Sequence, residues 1–344
     1  MGGMNISSEC RLELARLFSV PNPEHIALSS GATSSLNQVI QGLLSEQTNA
    51  HVLATRLEHN SVIRPLEHLR LAGKISVEYL IPDLDGVVSD DCIFDAIKAD
   101  TRLICVTHAS NVTGNIQPVE RIASVAERSG IPLLIDASQT AGAVNLCYNK
   151  LPGRVFVVFA GHKGLFGPAG TGGMILPDDK LPQTVFGGTG IRSELLLHPT
   201  ELPLRHECGT ANLPGISGLT EGVRFVLERG VEVLGNHRKL LVDYLRNELK
   251  KIHGVRLSPL AGNDGRAGIV AFCLDGWSPE ESGMILRDAF RIETRDGLHC
   301  APLTNPCPGF QTSGSTRVSF SHFNTRENVE ALVKAVLSIT ESCH

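Results

Sequence analysis

Apolar positions along the chain fall into two spacings. Short apolar runs at 25–28, 51–55, 75–80, 102–107, 132–135, 155–159 and 174–176 read as strands. Those at 132–135 and 155–159 are continuous, as in strands covered on both faces. Between them the spacing becomes helical. Helices are expected over 7–17, from about 32 with Leu36, Val39, Ile40 and Leu43 on one stripe, through Leu71, and over 89–99, with a turn at 83–86. This alternation from 25 to 160 predicts an α/β fold with a mostly parallel sheet between layers of helices. A long helical region over 215–252, broken near Gly230, leads to strands at 255–257, 268–274, 292–294 and 316–320 and helices at 278–289 and 325–340. The expected division is a large domain over 1–225 and a smaller α+β domain over 226–344.

The two buried strands each end in a reactive polar group. The first stops at Asp136, with Gln139 close behind; the second stops at Gly161-His162-Lys163, before a glycine-rich loop over 164–173. Open α/β sheets bind ligands at the carboxyl ends of their strands. Either residue alone would read as a strand-end cap or a solvated lysine. Together they suit pyridoxal phosphate, which needs an amine to hold it as a Schiff base and a carboxylate to keep its ring nitrogen protonated. A turn of small residues, Ser29-Ser30-Gly31-Ala32-Thr33, opens a helix and leaves backbone N–H groups for an anion, although simple N-capping would give the same pattern.

The segments D-A-S-Q and G-H-K-G-L-F-G-P resemble those of the class V aminotransferase group of fold-type I pyridoxal phosphate enzymes, and more closely its branch of cysteine desulfurases and selenocysteine lyases. The resemblance extends over nearly the whole chain. It implies that Gly31, Ala32 and Thr33 form the phosphate turn, that His59 stacks on the ring and takes part in proton transfer, and that Asn111 and Gln139 bind the ring hydroxyl. Asp136 supports the ring nitrogen and Lys163 carries the cofactor. Ala160 stands where the family has a serine, which removes one phosphate hydrogen bond; His162 remains as a contributor. Arg205 to Asn212 resemble the family's R-x-E-x-G-T-x-N, whose threonine reaches a partner's phosphate, so Thr210 is a cofactor ligand only in a homodimer.

In the stretch R-D-G-L-H-C-A-P, Cys300 lies in a loop with His299 beside it and Arg295 nearby, groups that lower a thiol pKa when their geometry is right. The R-x-G-x-x-C-A pattern resembles the type II cysteine desulfurase signature, whose cysteine takes the substrate sulfur as a persulfide. Arg317 matches the arginine that binds the substrate carboxylate and Arg295 a second active-site arginine. Cys307 reads as a bystander.

Composition narrows the field further. A net charge of −5 with 42% hydrophobic residues describes an ordinary soluble protein without the basic footprint of a nucleic-acid binder. No apolar run approaches the roughly 20 residues of a membrane span. The N-terminus lacks the pattern of a secretory signal. Nine scattered cysteines read as reduced thiols in the cytoplasm, and none has a metal-site spacing. No dinucleotide or P-loop fingerprint occurs.

The resulting expectation is a homodimeric, pyridoxal phosphate-dependent cysteine desulfurase. It converts L-cysteine to L-alanine, holds the sulfur on Cys300 and hands it to an acceptor protein. A selenocysteine lyase or another class V aminotransferase is the alternative. Family members carry a further N-terminal segment lining the active site, where this chain has only MGGMNI before its first expected helix. A non-catalytic scaffold is therefore a further alternative.

Overall fold

A computed structural model describes residues 2–259, 267–304 and 314–341. Cys307 lies outside them. Strands β1 (Ile26–Ser29), β2 (Ala50–Thr55), β3 (Ile75–Leu80), β4 (Thr101–Thr107), β5 (Leu133–Asp136), β6 (Val155–Ala160) and β7 (Gly172–Ile175) form one sheet, ordered β1-β7-β6-β5-β4-β2-β3. From β6 to β3 neighbours pair in parallel; β7 is antiparallel to both β6 and β1. Hence β1 points the same way as the parallel strands, and six carboxyl ends reach one edge of the sheet.

Strand periodicity feeds two cores at once. Leu133, Ile135, Val155, Val157 and Phe159 point to one face, against α1 (Gly2–Phe18), α5 (Val119–Arg128) and α6 (Leu213–Arg229). Leu134, Phe156 and Val158 point to the other, against α2 (Ala32–Leu44) and α3 (Asn60–Leu71). The short α4 (Asp90–Ala96) stops earlier than the expected helix over 89–99, because Ile97 is extended. At the other extreme α1 starts well before residue 7.

Gly230, at φ 84°, separates α6 from α7 (Val231–Leu249). Beyond it, β8 (Val255–Leu257), β9 (Ile269–Leu274), β10 (Arg295–Gly297) and β11 (Ser315–Ser319) form an antiparallel sheet ordered β10-β11-β9-β8. It packs on α7, α8 (Pro279–Phe290) and α9 (Arg326–Glu341). The strand expected over 292–294 is displaced to β10. Helix α8 ends with Arg291 in the left-handed region, and the Ile292 N–H turns back to the Leu286 carbonyl at 2.9 Å. That closure uses Ile292 as the apolar residue of a helix cap instead of the start of a strand.

No helix among the described residues is long and apolar enough to cross a membrane. The seven cysteines among them are free thiols.

The loop after Lys163 is seated on α6 through glycines. A Cβ at Gly222 would stand 2.2 Å from the Leu165 carbonyl oxygen, and one at Gly218 2.7 Å from Pro168 Cγ. Alanine is intrinsically the better helix former by about 1 kcal/mol. Overpacking against backbone costs about 1–3 kcal/mol and should win here. Gly222→Ala is therefore expected to lower the thermal midpoint; an unchanged or raised midpoint would show that the loop gives way freely.

Candidate active site

A cleft of about 300 Å³ opens at the shared edge of carboxyl ends. After β1 it is lined by the turn from Ser30 to Ser34, after β2 by His59 and Ser61, and from β4 by Thr107 and Asn111. Asp136, Ser138 and Gln139 follow at the end of β5, then Ala160, His162 and Lys163 at the end of β6. Gly31, Ala32, Thr33, His59, Asn111, Asp136, Gln139, His162 and Lys163, predicted from separate stretches of sequence, thus share one cavity. Thr210 does not line it and is exposed on its own chain. The neighbouring Glu207 faces inward, accepting the Leu28 N–H of edge strand β1 at 2.7 Å and pairing with Arg11.

The first wall is an anion cradle. Gly31 precedes α2 with φ 144°, a value that favours glycine, and no side chain caps the helix. Its first N–H groups and its dipole face the cleft, as a phosphate requires. Ala160 contributes only a methyl group to the lining, while Ser30, Ser34 and Ser138 bring hydroxyls.

Thr33 joins His59 through Ser61, which sequence reasoning missed. The Thr33 and Ser61 hydroxyl oxygens are 2.9 Å apart, and Ser61 Oγ lies 2.7 Å from His59 Nδ1. The Ser61 backbone N–H also donates to Nδ1 at 3.0 Å, so the neutral ring carries its proton on Nε2. Burial holds the His59 pKa below its ordinary value; Lys163, Arg295 and Arg64 push the same way, and Asp136 opposes them.

Lys163 is depressed as well, first by burial, which outweighs the opposing Asp136, with Arg317 and Arg295 adding to the fall. A depressed amine is the state that adds to an aldehyde. Buried Asp136 accepts the Ser138 N–H at 2.9 Å and the Ser138 hydroxyl through Oδ1, which leaves Oδ2 for a ligand. The donor set therefore fits pyridoxal phosphate: an anion cradle, an amine of lowered basicity and a carboxylate with a free oxygen.

The smaller sheet completes the site. Arg295 and Arg317 are register partners on β10 and β11. Arg295 Nη2 donates to Cys300 Sγ at 3.3 Å, and Arg317 Nη1 donates to the Asn111 carbonyl at 2.7 Å. Arg317 Nε is buried without a partner among the described residues. Arg317, Arg295 and Cys300 do not line the cleft itself; they are tied to it through the lining residue Asn111, whose backbone carbonyl holds Arg317 and whose Nδ2 donates to the His299 carbonyl at 2.6 Å. The expected part of His299 is corrected. Its ring is 4% exposed, its Nε2 lies 2.9 Å from Ser315 Oγ, and burial beside Arg317 pushes its pKa down to about 4. It is neutral, and the cation at the sulfur is Arg295. Among the described residues no group of three or more His, Cys, Asp or Glu side chains is placed to hold a metal ion.

Comparison with known proteins gives a consistent answer. The family described as aminotransferase class V matches residues 3–332. A probable cysteine desulfurase of Halalkalibacterium halodurans is 30% identical over 95% of this chain and 80% of its own length. A cysteine desulfurase of Enterobacter sp. is 29% identical over 96% of this chain and 81% of its own. Among solved structures, the apo cysteine desulfurase of Thermococcus onnurineus superposes with a TM-score of 0.91 at 28% identity, covering 99% of this chain and 85% of that one.

Beneath the cleft lies a second residue that sequence reasoning missed. Glu58 is fully buried between strand ends; its Oε1 accepts from Thr55 Oγ1 at 2.6 Å and from the Thr107 N–H at 2.7 Å, while Oε2 has no partner among the described residues. Burial pushes its carboxyl up to about 8 from an ordinary 4.5, and nearby Asp136 adds to the rise. The folded protein holds this proton where the unfolded chain releases it. Its contribution to stability is full below about pH 4.5, declines as pH rises toward 8 and is level beyond. Glu58→Gln should flatten that decline. Thermal midpoints at pH 5 and pH 8 test it: the variant gains on the wild type at pH 8 relative to pH 5, and an unaltered pH dependence would assign the proton elsewhere.

Proposed function

Since the chain belongs to the class V aminotransferase family, we propose that it is a pyridoxal phosphate-dependent cysteine desulfurase, which converts L-cysteine to L-alanine and takes the sulfur onto Cys300. The observation that carries this reading is the convergence of Lys163, Asp136 and the Arg295–Cys300 contact on one site. Bound pyridoxal phosphate supplies an electron-accepting ring that makes the substrate Cα–H acidic. Gly31, Ala32, Thr33 and His162 would bind its phosphate, Asn111 and Gln139 its hydroxyl and Asp136 its ring nitrogen, and His59 would stack on it.

Lys163 would hold the cofactor, and its amine, when free, would move the substrate Cα proton, with His59 Nε2–H as the neighbouring donor. Arg317 grips the substrate carboxylate, for which its fork is suited. Cys300 Sγ attacks the substrate sulfur: a sulfur–sulfur bond forms as the Cβ–sulfur bond breaks, and protonation at Cβ gives alanine. The persulfide then needs a thiol acceptor, which we take to be a second protein. The working unit in this reading is a cytoplasmic homodimer. Two features support it: Thr210 is exposed on its own chain, and Phe186, Leu196 and Leu197 are exposed on the preceding segment.

Purified protein mixed with pyridoxal phosphate should develop a visible absorbance band that borohydride fixes on Lys163, and should release alanine and sulfide from cysteine in the presence of a reducing thiol. Cys300→Ser should lose at least roughly a hundredfold in cysteine turnover, as for a missing nucleophile, and keep the band. Normal turnover in that variant would sink the assignment. Arg317→Lys should raise the KM for cysteine about tenfold or more through loss of the bidentate contact; an unchanged KM would remove Arg317 from the substrate site.

A further inference from the structure

His299 and Cys300 are consecutive residues in the left-handed region, at φ 53° and 59°. That conformation is unfavourable for side chains of their kind, and two in succession persist only when their surroundings hold them. Within the turn itself the hold is slight, chiefly the Ala301 N–H to the Leu298 carbonyl at 3.0 Å. The stronger ties come from the large sheet. The His299 carbonyl accepts from Asn111 Nδ2 at 2.6 Å, and the Cys300 carbonyl accepts the Asn60 N–H at 2.7 Å. Because a carbonyl only accepts, the amide atom facing His299 is the nitrogen.

Asn111 also receives a bond. Its own carbonyl takes Arg317 Nη1 at 2.7 Å, and its side chain lines the cleft. One buried residue after β4 therefore touches the arginine on β11, the turn that presents the sulfur, and the cavity between them. One Nδ2 hydrogen serves His299; the other, with Oδ1, faces no bond that this turn requires.

We propose that Asn111 is a positioning residue: its side-chain amide latches the left-handed turn of Cys300 onto the segment after β4, and its backbone carbonyl holds Arg317 beside that turn. The latch keeps Sγ within reach of Arg295 Nη2. The catalytic consequence rests on the function proposed above; the latch itself does not.

The test is hydrogen exchange of residues 298–304 in the full chain, with and without added pyridoxal phosphate, for wild type, Asn111→Ala and Asn111→Asp. The aspartate keeps the shape and removes the donor, so it serves if the alanine variant folds poorly. Loss of the latch should speed exchange of the Ala301 amide about tenfold, in proportion to one net hydrogen bond. The change should be confined to the turn and present already without cofactor. For the protein saturated with pyridoxal phosphate, to offset the lost contact of Asn111 to the ring hydroxyl, kcat for cysteine should fall. Unaltered exchange of the turn together with weakened cofactor binding would overturn the proposal and leave Asn111 a cofactor ligand alone. Faster exchange spread evenly over β4 and α3 would overturn it too, as general loosening. If no desulfurase activity is found, the cofactor-free exchange still decides the latch, so the two failures are separable.

Discussion

The site depends first on the parallel pairing of β5 with β6, in which Asp136 sits level with Val158. That register puts a carboxylate and an amine at adjacent strand ends, the pair on which the proposed cofactor site rests. Every other group comes to meet this pair. Strand β4, paired with β5 so that Thr107 faces Asp136, brings Asn111; β2 brings His59; and β1, reversed twice through β7, brings the anion cradle to the same edge. Helices on both faces keep these strands dry, so charge placed at their ends is strongly felt.

The second sheet contributes charge of one sign. The Arg295–Arg317 register partners are like charges directly opposite, an arrangement that destabilises a strand pair by itself. It is relieved by the Cys300 sulfur on one side and the Asn111 carbonyl on the other, both of which accept hydrogen bonds from the guanidinium groups. Burial and Arg295 together lower the pKa of Arg317, and Cys300 opposes the fall.

Much of this was legible in the sequence, for physical reasons. Continuous apolar runs announce buried strands, and a polar residue directly after such a run must lie at a strand end. That reasoning alone places Asp136 and Lys163. What was not legible depends on direction. Adjacency of His299 to Cys300 suggested that the imidazole serves the thiol, but left-handed backbone at both residues turns the ring away to Ser315. Ile292 looked like the start of a strand and instead closes a helix. Glu58 gave no signal, because no local pattern shows that a carboxyl will be buried whole. Ser61 carried no signal either, since a histidine accepting at the start of a helix is not a common cap.

The sheet order has a consequence for biogenesis. Within the sheet, β1 pairs only with β7, and Ile26 meets Ile175 about 150 residues along the chain. On a ribosome that builds from the N-terminus, the strand that carries the anion cradle emerges early and has no lateral partner until β7 follows. Its pairing is the longest-range closure of the large sheet, the kind of contact whose loop entropy makes folding slow. The cradle is therefore among the last parts of the sheet to be set, after Asp136 and Lys163 are already on paired strands. Cofactor capture then reports on completed folding of the large sheet: a nascent chain stopped before β7 would own the reactive amine without the pocket that gives it a purpose.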